Sequence, residues 1–230
     1  MWEYVFDWAW ADAYQRHGLA YYPKLLIAIP FTPSAGPRLL LDPDIRQQLV
    51  PEQVHHLLDR LTDELGAHSW HLLFPGKEDQ ELLQHEQALH RIGCQFHWHN
   101  ASYQSFDDYL AVLTSKKRKQ VRRERRLVEG AGIEVELLHG RDTTEAHWDT
   151  FYEFYCSTFA RKSGHPTLTK AFFVALRQSM PDAVVLVLAK TEGRYVAGTF
   201  NLRGSDALFG RHMGCQESFS GLHFVVCYYR

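Results

Sequence analysis

The chain of 230 residues is poor in cysteine pairs, in long apolar runs and, along one stretch, in acid. Its four cysteines, Cys94, Cys156, Cys215 and Cys227, form no C-x-x-C. A chain of this length does not need disulfide staples, so the thiols are expected to be reduced, as in a cytosolic protein. The longest clean apolar run, 183–189, is far too short to cross a bilayer, so no membrane span is expected. The first residues lack the cationic-then-apolar pattern of a secretory leader, with Glu3, Asp7 and Asp12 standing against one. What remains is ordinary globular composition, 45% hydrophobic and 23% charged, enough to bury a core in one large domain or two small ones.

Apolar periodicity and punctuation predict a mixed α/β chain. Strands are expected at 4–6, 24–31, 69–75 and 94–100, with helices at 8–17 (closed by Gly18), from Pro51 to Gly66, and at 78–92 (closed by Gly93). The Pro51 helix carries a stripe of Val54, Leu57, Leu58, Leu61 and Leu65. One long helix is then expected over 105–130, a strand at 133–138, an aromatic-rich helix at 147–162, and a helix at 169–180 with Thr169 as N-cap. Three strands follow as an antiparallel meander, turned at 192–193 and 204–206, before a last helix near Leu222. Both ends read as cut: a strand at the start, and a final helix without a cap.

The stretch short of acid is "LTSKKRKQVRRERRLVEG", 113–130. Eight Lys or Arg lie between Lys116 and Arg126 against one Glu, and the rest of the chain holds 17 basic and 26 acidic side chains. On a helical wheel Leu110, Leu113, Val121 and Val128 share a stripe, Arg118, Arg122 and Arg125 flank it, and Lys116, Lys119, Arg123 and Arg126 lie outside. Charge runs are often only solvated faces. Here Arg118–Arg122, Lys119–Arg123 and Arg122–Arg126 are like charges at i, i+4, which repel, so the helix is expected to meet anions. Phosphates of a nucleotide, a coenzyme or an RNA all fit, and composition does not choose among them.

"FDWAWADAYQRHG", "YYPKLLIAIPFTPSAGPRLLL" with its Gly36–Pro37 turn, "SWHLLFP", and the block from "CQFHWHN" through the basic helix to "GIEV" (132–135) resemble the Fem-like branch of the GNAT acyltransferases. That branch consists of tandem-domain proteins, including aminoacyl-tRNA-dependent peptidoglycan transferases. More narrowly, the chain is similar to the FemAB-like predicted N-acyltransferases. "WDTFYEFYCSTFARKSGHPTLTKAFF" and "GRHMGCQESFSGLHFVVCYY" resemble the second domain, so the likeness covers essentially the whole chain. It implies a tandem GNAT-like fold with both domains incomplete: 1–104 as the C-terminal part of the first and 105–230 as the second. It implies a cytoplasmic transferase of an acyl or aminoacyl group to a small-molecule or cell-wall-precursor amine. It implies no tightly bound cofactor, acyl-coenzyme A or aminoacyl-tRNA as donor, and tRNA as a possible partner. The ordinary GNAT pyrophosphate loop, Q/R-x-x-G-x-G/A, is not found in "GCQESFSGLHF", so which of the two donors is used is not implied.

Acyl transfer to an amine needs a neutral amine, donors for the oxyanion and a proton for the leaving group. The base candidates are His212, Glu217 and His223; His212 at the end of a strand is preferred, with Arg211 to hold a carboxylate or phosphate. The alternative reading of His212 is a strand histidine with an ordinary partner. Cys215 has no evident base beside it and is set aside as a nucleophile. His97 and His99 share one strand face, but a zinc site needs further ligands that are not adjacent, so no metal is expected. With Gln95 they are instead expected to line the first-domain side of a cleft. Lys116, Arg118, Lys119 and Arg122 are expected to contact anionic groups, and Tyr155 is the ring of the aromatic helix most expected to touch substrate. The alternative function is a non-catalytic polyanion-binding module, binding RNA or nucleotide through 116–126.

Overall fold

The computed structural model describes residues 7–162, 164–217 and 219–229; the strand expected at 4–6 lies outside them. The chain divides into two compact units, 1–96 and 97–230.

In the first unit, α1 (Trp8–Arg16) precedes β1 (Leu25–Ile27), and α2 (Pro43–Gln48), α3 (Pro51–Glu64), β2 (Trp70–Leu72) and α4 (Lys77–Leu82) follow. β1 and β2 pair in parallel. Val54 and Leu58 of α3 bury against Leu83, with Ile27, Trp70 and Leu72 beside them. The α3 stripe is rotated from the expected one. His55 and Thr62 are buried while Leu57, Leu61 and Leu65 are exposed. Two local bonds make this tolerable: Thr62 Oγ1 donates to the Leu58 carbonyl, and His55 Nε2 lies 3.2 Å from the Leu83 carbonyl.

Two expectations fail here. The helix expected at 78–92 stops at Leu82, and Leu89 and Ile92 are almost fully exposed. Without a surface to cover its apolar face a helix of this length is marginal. Residues 94–100 form no strand. They run as exposed chain, with Phe96 99% exposed, because no described strand offers them a ladder.

The second unit begins with α5 (Phe106–Val112) and α6 (Ser115–Gly130), where one helix was expected. Leu113 turns extended, and Thr114 N-caps the second helix by accepting from the Lys117 amide. β3 (Glu134–His139), α7 (Glu145–Arg161), α8 (Lys170–Ser179), β4 (Val184–Thr191), β5 (Arg194–Arg203), β6 (Leu208–Cys215) and α9 (Leu222–Tyr228) complete it. The four strands form an antiparallel sheet in the order β3-β4-β5-β6. The β4–β5 turn uses Glu192 and Gly193, both at positive φ, as a tight hairpin of this twist requires.

Strand β4 explains the layering. Its period-2 side chains bury on both faces: Val185, Val187 and Ala189 against Val128 of α6 and Leu222, Val225 and Val226 of α9. Val184, Leu186 and Leu188 meet Trp148, Phe151 and Phe154 of α7 and Phe173 of α8. The sheet is therefore a middle layer, and what projects from one face does not reach the other.

Candidate functional site

Strand β6 is an edge of the sheet, and most of what distinguishes the unit chemically gathers along it. Helix α7 lies so close that a Cβ on Gly214 would stand 2.1 Å from the Phe154 carbonyl oxygen. That approach lets hydroxyls of α7 satisfy carbonyls of the edge strand: Ser157 donates to Cys215 O at 3.1 Å and Thr158 to Met213 O at 3.0 Å. Upstream, the ladder breaks. Phe200 pairs with His212 but Asn201 pairs with Gly210, so Arg211 is the extra residue of a bulge.

The bulge places His212 on the α7/α8 face. Its ring meets Tyr155 and Phe173 edge-on at 4.9 and 6.2 Å and stacks with Phe200 at 6.5 Å. Nε2 is buried and has no hydrogen-bond partner among the described residues. Burial, with the nearby Arg211 charge adding to it, pushes the imidazole pKa down from 6.5 to about 3. His212 is thus a neutral imidazole at physiological pH, held in an aromatic wall with one nitrogen uncommitted. Arg211 is half-buried beside it and supplies the local positive charge.

Other expected residues fall elsewhere. Tyr155 is fully buried, and its hydroxyl accepts from the Thr167 and Leu168 amides and pairs with the Thr167 hydroxyl. It pins the 167–168 loop and walls His212. Arg118 also has partners within the chain. Its guanidinium donates to the carbonyls of Leu110, Ala111 and Leu113, capping the C-terminus of α5. Lys116, Lys119 and Arg122 are exposed on α6. Because α6 packs by Val128 on the sheet face opposite His212, the cations and the imidazole do not share a pocket. Gln95 belongs to the first unit, where it donates to the Pro33 carbonyl, while His97 and His99 belong to the second, ring centroids 6.2 Å apart. Among the described residues no group of three His, Cys, Asp or Glu is placed to hold a metal. Glu217 pairs with Arg194, and His223 faces Cys227. The Cys215 sulfur receives a long contact, 3.4 Å, from Arg161.

Phe106, Asp107, Glu129, Thr199 and Asn201 were not singled out from sequence. A groove of about 460 Å³ beside α6 is lined by Asp107, Leu110, Lys119, Arg122, Arg125 and Arg126, together with Glu129. Arg125 lies over the Phe106 ring at 4.9 Å. Thr199 and Asn201 are buried polar residues on the α9 side of β5; Asn201 Nδ2 donates to Thr199 Oγ1 at 3.1 Å and to the Val185 carbonyl at 3.3 Å. Their signal was present in the sequence: two polar side chains alternating with Phe200 inside an apolar strand.

A family model, FemAB-like, described as peptidoglycan biosynthesis/recognition, matches residues 1–230. Among curated proteins none matches. Among solved structures, a conserved protein of unknown function from Bacteroides thetaiotaomicron is similar, with 19% identity and a TM-score of 0.39. The match covers 53% of this chain and 42% of that one. No helix among the described residues is long and apolar enough to cross a membrane.

Proposed function

Because the chain belongs to the FemAB-like family, we propose that it serves peptidoglycan-related group transfer: an acyl or aminoacyl group passes to an amine of a cell-wall precursor. The second unit has the α-β-α layering with an antiparallel sheet expected of a GNAT-like domain, which supports a GNAT-like reading of this half. The observation that carries the chemical part is the uncommitted Nε2 of His212, buried in a ring-lined wall next to a bulged arginine.

In this reading the neutral imidazole accepts a hydrogen bond from the acceptor amine and turns the amine lone pair toward the donor carbonyl. Burial disfavours the imidazolium, so His212 orients the amine and does not store its proton. Arg211 faces the negative charge that develops on the carbonyl oxygen. The new C–N bond forms, the donor's C–O or C–S bond breaks, and the proton lost by the amine goes to the departing oxygen or sulfur. The donor is an acyl-coenzyme A or an aminoacyl-tRNA, and both arms belong in the test.

The test is acyl transfer by the full-length protein, followed by mass spectrometry, with His212→Phe and Arg211→Gln as variants. His212→Phe preserves the aromatic packing and removes Nε2. The reading expects a fall in kcat of about a hundredfold for His212→Phe, the cost of a misplaced amine, with unchanged thermal stability. Transfer at the wild-type rate by a folded His212→Phe protein would remove His212 from the reaction.

A further inference from the structure

With Arg118 engaged in capping α5, seven of the eight cations on α6 remain for another role. Five of them, Lys116, Lys119, Arg122, Arg123 and Arg126, occupy one continuous exposed arc opposite Val121 and Val128. Little acid faces them. Glu124 receives bonds from Gln120 and Tyr229, Asp107 pairs with Arg122 at 3.9 Å, and Glu129 lines the groove.

Next to this arc is a cluster of rings. Arg125 covers Phe106; Phe106 touches Tyr109 at 5.8 Å; Tyr109 meets Trp98 at 6.1 Å and Tyr103 at 5.8 Å. Trp98 is 63% exposed. The Trp98–Tyr109 and Tyr103–Tyr109 contacts are edge-on, with interplanar angles of 85° and 65°, while Trp98 and Tyr103 are tilted by 33° at 6.2 Å. The four rings pack on one another into a wedge with Trp98 at its exposed tip. A platform for successive nucleobases needs several open ring faces, and of these four rings only Trp98 is exposed. Trp and Tyr beside Lys and Arg are instead the side chains that settle at the headgroup level of a bilayer.

We propose that the α6 arc and the Trp98–Tyr103–Phe106–Tyr109 wedge form a peripheral docking surface for an anionic phospholipid bilayer. The cations meet lipid phosphates and the wedge enters the interface. Outside 116–126 the chain is acidic, 17 basic against 26 acidic side chains, so the same field repels the remaining surface and fixes the orientation of docking. The inference stands apart from the transferase reading, since it uses the sheet face opposite His212 and is read by binding alone.

The test is co-sedimentation of the full-length protein with vesicles of phosphatidylcholine alone or mixed with phosphatidylglycerol. Binding is expected only to the anionic vesicles, falling steeply between about 0.1 M and 0.5 M salt. Replacing Lys116, Arg123 and Arg126 together by Gln should weaken partitioning by about a hundredfold, at about fivefold per cation. Trp98→Ala should weaken it on vesicles without changing the salt dependence. Circular dichroism of each variant reports folding, and the wild-type salt response keeps the proposal testable if a variant misfolds. Equal binding to neutral vesicles, no binding to either, or displacement from anionic vesicles by a single-stranded RNA at lower concentration would each overturn it.

Discussion

Asp7 heads α1 but does not cap it; its carboxylate turns inward, with only 1% of the side chain exposed. It accepts from the Tyr21 hydroxyl at 2.8 Å and the Lys24 ammonium at 2.6 Å, pairs with Arg91, and lies 3.7 Å from His71 Nδ1. Burial alone would raise its pKa. The bonds from Lys24, Arg91 and Tyr21 and the Lys24 charge more than reverse that, bringing it from 3.8 down to about 2. That lowering is worth about 2–3 kcal/mol of stability at neutral pH. Asp7→Asn keeps the shape but removes the anion facing a Lys24 side chain that is only 5% exposed. Breaking a buried pair from one side costs about 3–5 kcal/mol, so a loss of about 2–4 kcal/mol is expected. The sign with pH follows from the lowered value. The unfolded chain binds the proton first as pH falls, so the contribution is complete above about 4 and disappears as pH drops toward 2. Urea unfolding of wild type and Asp7→Asn at pH 7 and pH 3 measures both. The gap should be largest at pH 7 and narrower at pH 3. A variant within about 0.5 kcal/mol of wild type at pH 7, a change ordinary for a surface site, would refute the reasoning.

Three further outcomes follow from the second unit. Gly214→Ala places a Cβ against the Phe154 backbone and should cost about 3 kcal/mol or more; calorimetry showing an unchanged Tm would mean that α7 moves freely from β6. Arg118→Ala should destabilise by about 1–3 kcal/mol through lost carbonyl bonds. Arg118→Lys should rescue little of this in chemical unfolding, because a point charge cannot reach three carbonyls at once. His212, lowered from 6.5 to about 3, should stay neutral in NMR titration from pH 8 to pH 5. Because the unfolded chain gains that proton and the folded one does not, stability should fall by about 1.4 kcal/mol per pH unit below about 6.5. His212→Phe should remove that slope, and an unchanged slope would assign it to another group.

The second unit was far more legible in sequence than the first. Its strands β4 and β5 are long apolar runs set off by turn residues. Thr169 does N-cap α8, accepting from the Phe172 amide at 3.3 Å. In the first unit the strands are three residues long, too short for alternation to fix a face. The sequence 94–100 alternates like a strand, yet alternation supplies only one partner of a ladder, and the other is missing among the described strands. The α5–α6 break was written in "LTS", an N-cap signal that the continuous stripe of 105–130 concealed. Of the site, the position of His212 at a strand end was readable. Its surroundings were not, because Tyr155, Phe173 and Phe200 come from three elements and only packing brings them to one ring. Arg118 is the opposite case: a cation in a basic run reads as ligand-seeking, and its carbonyl partners within the chain are not visible in the sequence.

The most direct measurement is a mass-spectrometric search, with the full-length protein, for a cell-wall precursor that gains an acyl or aminoacyl mass from a donor pool of acyl-coenzymes and aminoacyl-tRNAs. The account predicts a gain located on an amine nitrogen and lost in His212→Phe. A precursor that gains no mass from any donor, or gains it equally with the folded variant, would contradict the account.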